Sequence, residues 1–69
     1  MTKLDARGYA CPMPVVMAQR ALKTEKDGLE VLVDNRAAVE NLSRFANANG
    51  FTPETASEGA DFKVVFVKK

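Results

Sequence analysis

Apolar positions along this chain switch between a period of two and a period near 3.6 residues, and the switches mark out its elements. Leu29-Glu30-Val31-Leu32-Val33-Asp34 is the clearest strand, with Leu29, Val31 and Val33 on one face. Asp61 to Val67 reads the same way, Phe62, Val64 and Phe66 alternating against Lys63, Val65 and Val67. Between them Ala38, Val39, Leu42, Phe45 and Ala46 recur at helical spacing, after Asp34 or Asn35 as a cap and before the stop signal Asn49-Gly50. An earlier helix carries Pro14, Val15, Ala18, Ala21 and Leu22 as its buried stripe and runs on through Val15 to Lys26, with Asp27-Gly28 ending it. Thr2 to Ala6 predicts a short first strand, followed by the loop Arg7-Gly8-Tyr9-Ala10. Phe51 to Ser57 is a weaker strand, because Pro53 confines it to an edge or a bulge, and Glu58-Gly59-Ala60-Asp61 makes the turn into the last strand.

The predicted order βαβαββ, with right-handed crossovers, gives an α+β fold: a two-layer α/β sandwich with two helices on one face of a four-stranded mixed sheet. The far face of that sheet is left uncovered, with Leu32, Val65 and Val67 on it as packing for lysine stems or as the seat of a second domain or subunit. Sixty-nine residues are expected to make one domain, residues 1–69, with one small core.

Composition narrows the function classes. A hydrophobic fraction of 46% and a charged fraction of 28% are ordinary for a globular chain, and no apolar run is long enough to span a bilayer. No membrane partner is therefore expected. A net charge of +1 argues against bulk nucleic-acid binding, which needs a broad basic surface. The charge is unevenly spread: Lys3, Arg7, Arg20, Lys23 and Lys26 outnumber Asp5 and Glu25 in the first 26 residues, while residues 27–61 are acidic. Either this is a solvated mixed surface, or the basic part steers acidic partners. One unpaired cysteine fits a reducing, cytoplasmic setting.

That cysteine is the main chemical candidate. Cys11 stands in Cys11-Pro12-Met13-Pro14, where a glycine-containing loop is expected to become a helix. Pro12 and Pro14 suit a first turn, in which a missing N–H matters little and a fixed φ is already helical. A sulfur there would meet unmatched amides at the positive end of the helix dipole, an attraction of about 0.3–2 kcal/mol that favours thiolate. Unpaired cysteines are usually buried as small hydrophobes. Gly8, the charged Asp5-Ala6-Arg7 and a proline on each side of Met13 point instead to an exposed junction.

Supporting roles follow from position. Asp5 can hydrogen-bond loop amides and hold the turn, and Gly8 supplies a backbone shape other residues resist. Arg7 either stabilises thiolate or persulfide or is simply solvated. Met13 either joins an exposed docking surface with Val16 and Arg20 or fills a gap in the core, and Tyr9 is expected to pack.

Several cysteine chemistries are disfavoured. Pro14 occupies the second position of a Cys-x-x-Cys pair, so the chain cannot close that disulfide. The chain has no histidine to serve as base for a cysteine hydrolase, and one thiolate with scattered carboxylates is no soft-metal ligand set. A thiolate that accepts a group, holds it covalently and passes it on remains.

The segment Leu4-Asp5-Ala6-Arg7-Gly8-Tyr9-Ala10-Cys11-Pro12-Met13-Pro14-Val15 resembles the signature of the TusA/SirA sulfur-carrier family, with its Cys-Pro-x-Pro motif a fixed step after an Asp. Leu32 to Ala46 is more loosely similar to the N-terminal domain of YedF-type proteins, which are linked with selenium metabolism. The resemblance implies the same two-layer fold. It also implies that Cys11 holds sulfane sulfur as a persulfide, without a further cofactor, in a sulfurtransferase-like relay that needs partner proteins. The implied partners are a cysteine desulfurase as donor, a downstream acceptor protein, and a DsrE-like domain or protein; tRNA thiolation is one end of such relays. In a YedF-like protein selenium is an alternative cargo and a DsrE-like domain would follow, so this sequence, ending at Lys69, is expected to be either a single-domain relative or a trimmed part of a longer protein. The competing reading is a protein- or RNA-interaction module in which Cys11 is structural.

Overall fold

The computed structural model describes residues 2–9, 13–24 and 27–69. Its elements follow the order β1 (Thr2–Asp5), α1 (Met13–Leu22), β2 (Gly28–Val33), α2 (Arg36–Ala48), β3 (Phe51–Glu58) and β4 (Asp61–Lys68). The four strands form one sheet in the order β1-β2-β4-β3. β1 runs parallel to β2, as a βαβ crossover requires, and β4 is antiparallel to both β2 and β3. The sheet is mixed and both helices belong to the same core, so the two-layer α+β sandwich expected from the pattern is the fold observed.

Burial follows the period-two pattern. Leu29, Val31 and Val33 of β2 and Val64 and Phe66 of β4 are fully buried on the helix side, against Ala18 of α1 and Ala38, Leu42 and Ala46 of α2. Phe66 lies between Phe45 and Phe51, with ring centroids 6.1 and 6.0 Å away in tilted geometry. Such pairs add to the ~1.5–3 kcal/mol gained by burying each large side chain. On the opposite face, Leu32 and Val65 are half-buried and Val67 is exposed, among Lys3, Asp5, Glu30 and Lys63. A concavity of about 450 Å³ opens there, lined largely by these charged residues.

Local chemistry sets the ends of the elements. Asn35 caps α2: its backbone is extended and its side-chain oxygen accepts the Ala38 amide at 2.8 Å. At the other end Gly50 takes φ +82°, the left-handed region that glycine enters without strain. The β3–β4 loop is two residues long, Glu58 facing Asp61, with Gly59 first and at φ +63°. Glycine in that place is what a type II′ hairpin asks for.

The first helix is shorter than its pattern suggests. It stops at Leu22, four residues before Lys26, which with Glu25 lies outside the described residues. The Lys23 and Thr24 amides bond back to the Arg20 and Ala21 carbonyls, three residues away, and the Thr24 hydroxyl also donates to Ala21. This tight turn closes the helix with its own polar groups before Asp27-Gly28 is reached.

Pro53 is placed where it does least harm to the sheet. The Lys69 amide bonds to the Gly50 carbonyl, so by the alternation of an antiparallel ladder Pro53 opposite Phe66 is a non-hydrogen-bonded pair. The proline nitrogen therefore faces the free edge of β3.

Candidate functional site

β1 and β2 are parallel and β4 runs back against β2, so the end of β1, the end of β2 and the start of β4 share one end of the sheet. Each brings an aspartate there: Asp5, Asp34 and Asp61. The β1–α1 loop leaves from that end, and all three carboxylates bind it.

Asp5 Oδ1 accepts both the backbone N–H of Arg7 at 3.1 Å and its Nε at 3.0 Å, while Oδ2 accepts Nη2 at 2.9 Å. The first of these is the loop amide bond looked for in Asp5, an aspartate turn two residues long. Arg7 also reaches across the sheet end, donating Nη1 to Asp61 Oδ2 at 3.2 Å. Arg7 is thus neither free nor merely solvated. Two carboxylates hold its guanidinium charged and offset that charge. The basic character expected of this half of the chain is left, among the described residues, to Lys3, Arg20 and Lys23.

Gly8 has φ +83°, with open space where a Cβ would be, so its role is backbone shape rather than close approach. Its amide donates to Asp34 Oδ2 at 2.8 Å, and Asn35 Nδ2 donates to Asp34 Oδ1 at 3.0 Å. The α2 cap, the end of β2 and the β1–α1 loop are thereby joined in one chain of bonds. Hydrogen bonding to the ionised form lowers the affinity of these acids for protons. Asp5 is brought down to about 2, chiefly by the Arg7 side chain and then by its amide. Asp34 is lowered by the Gly8 amide first and Asn35 second.

Beyond the loop, α1 opens at Met13 with no acidic side chain in its first turn. Pro14 is buried and has no amide, leaving the N–H groups of Met13 and Val15 without intrahelical acceptors. Cys11 and Pro12, the sequence candidates for this helix start, lie outside the described residues, and α1 begins two positions after Cys11 in the chain. Met13 is 39% exposed and does not fill the core; Val16 is half-buried and Arg20 exposed. Tyr9 departs from the packing role expected of it. It is 47% exposed, because it follows the Gly8 turn, which carries the chain off the sheet end after the buried Ala6.

Sequence reasoning named Asp5, Arg7 and Gly8 but missed Asp34 and Asp61 as loop partners. The signal that could have found them is an acidic residue at the same end of three strands, visible only once the strand order is known. Among the described residues, no group of three or more histidines, cysteines or carboxylates could hold a metal ion, and no helix is long and apolar enough to cross a membrane.

Comparison with known proteins adds to this geometry. The chain is 41% identical, over its whole length and 95% of the other, to a candidate sulfur carrier protein of Methanocaldococcus jannaschii. It is 30% identical to the sulfur carrier protein TusA of Allochromatium vinosum, over 96% of this chain and 91% of that one. The crystal structure of a SirA-like protein from Desulfitobacterium hafniense superposes with a TM-score of 0.87 at 34% identity, covering 97% of this chain and 96% of that one. Residues 2–69 match the family model described as sulfurtransferase TusA, and with these relatives beside it the chain belongs to the TusA family of sulfur carriers.

Proposed function

We propose that this protein carries sulfane sulfur as a persulfide on Cys11, receives it from a cysteine desulfurase and hands it to an acceptor protein. The observation that carries this reading is the family match over residues 2–69, which spans the Cys11-Pro12-Met13-Pro14 motif.

The chemistry requires only one nucleophile. The Cys11 thiolate attacks the outer sulfur of the donor's persulfide, a new S–S bond forms on Cys11, the donor's S–S bond breaks, and the donor cysteine leaves as thiolate. The proton on the outer sulfur travels with it. Oxidation states are redistributed between the two cysteines, and no outside oxidant or reductant enters. The acceptor's nucleophile then repeats the step on Cys11. A chain with no second cysteine cannot discharge its own persulfide into an internal disulfide, which suits a carrier. The exposed Tyr9 and Met13 offer partners apolar contact on either side of Cys11 in sequence. A reducing cytoplasm keeps such a thiol available.

Incubation with a cysteine desulfurase and cysteine, followed by intact-mass measurement, tests the proposal. The wild-type chain is expected to gain about 32 Da, one sulfur on its nucleophile, and Cys11→Ala nothing. Equal gain by the variant, or none by the wild type, rejects it.

A further inference from the structure

Two of the bonds on the β1–α1 loop come from far away in sequence. Asp34 holds the Gly8 amide from 26 positions away, and Asp61 holds Arg7 from 54. We propose that Asp34 and Asp61 are positioning residues for Cys11, fixing through Gly8 and Arg7 the loop segment that reaches the cysteine three residues later. The proposal rests on the reading of Cys11 as the working thiol.

The geometry supports positioning over a general contribution to folding. Asp34 and Gly8 are both exposed, so their bond covers no core surface. What it fixes is an orientation. Gly8 sits in the left-handed region, where the chain reverses, and a carboxylate on its amide sets the peptide plane between Arg7 and Gly8. That carboxylate is itself held by Asn35, whose other end is tied to the first turn of α2. Asp61 is the less exposed partner of Arg7, its side chain 27% accessible against 58% for Asp5. It anchors Arg7 to β4, whereas Asp5 alone would tie the loop only to its own strand. The loop is thus referenced to β1, β2, β4 and α2 together, as a reactive group set by supporting bonds requires.

Alkylation of Cys11 by iodoacetamide across a range of pH, on the whole chain, tests this without any sulfur transfer. Asp34→Asn removes the charge but keeps an oxygen for the Gly8 amide; Asp34→Ala removes both. Asp34→Ala is expected to move the midpoint of the pH–rate profile up toward that of an ordinary thiol, about 8.5, and to lower the rate at neutral pH about threefold or more. Asp34→Asn is expected to stay near wild type. In ¹H–¹⁵N spectra the Gly8 amide should lose its exchange protection in Asp34→Ala and keep it in Asp34→Asn. Asp61→Ala serves as the second variant and should move the profile in the same direction, its far-ultraviolet circular dichroism unchanged. Coincidence of Asp34→Ala with wild type overturns the proposal. So does a joint shift of both Asp34 variants, which would assign the effect to the carboxylate's field, and an unmoved Asp61→Ala overturns the part given to that residue. Failure of sulfur loading with these shifts intact would reject the carrier reading and leave the positioning result standing.

Discussion

Asn35→Ala is the sharpest test of how this small domain is held together, because one side chain serves two elements. Its oxygen takes the Ala38 amide at 2.8 Å and its nitrogen gives to Asp34 at 3.0 Å. Alanine removes both. Losing an N-cap costs about 1 kcal/mol, within about 0.5–2, and the exposed bond to Asp34 adds little to that. A chain of 69 residues has roughly 3.5–10 kcal/mol in all, so the loss is roughly a tenth to a third of its stability. The melting temperature should fall by about 4–8 °C for each kcal/mol lost. Urea unfolding followed by circular dichroism reads the change as a lower midpoint at unchanged slope. Asn35→Gly should lose only a few tenths of a kcal/mol, since glycine leaves the first-turn amides open to water. An Asn35→Ala midpoint equal to wild type, or one matched by Asn35→Gly, would refute the cap's role.

Acid should weaken the Asp5–Arg7 pair in a defined window. The folded value of Asp5 is depressed from 3.8 to about 2, so its stabilisation is complete above the unfolded value and is lost as pH falls through the folded one. Thermal melts between those two values should show a smaller pH dependence in Asp5→Asn than in wild type, and parallel curves would contradict the pairing. Leu42→Ala empties a fully buried site under the sheet and should cost about 2–5 kcal/mol. A urea midpoint lowered by less than Asn35→Ala would be inconsistent with that burial. Gly59→Ala meets no atom within 4 Å but must hold φ +63°, so about 1–2 kcal/mol of backbone cost is expected with no steric part. Asn at the same place should be tolerated better, and a neutral Gly59→Ala would show that the hairpin can adopt another turn.

Much of the fold was legible because β2, α2 and β4 follow their periods cleanly: Leu29, Val31 and Val33, then Ala38, Leu42 and Ala46, then Val64 and Phe66 are all buried as their spacing requires. The end of α1 was not, because the competing acceptors at Arg20 and Ala21 are backbone carbonyls that no side-chain pattern reveals. Neither was the β1-β2-β4-β3 order, which rests on pairings between distant segments. The site divides along the same line. Asp5 and Arg7 lie two residues apart and could be linked by inspection, whereas Asp34 and Asp61 look like ordinary turn acids until the topology sets them beside the loop.

Pro53 has a consequence for life in a crowded solution. The rim of β3 is a long outer strand, and such rims invite copies to stack edge to edge into ribbons. A missing donor at the third of its eight residues, with a carboxylate next to it at Glu54, interrupts any would-be seam before it can lengthen. Contacts with other copies are thereby pushed onto side-chain surfaces, where grip can be let go again, as suits the carrier role proposed for Cys11.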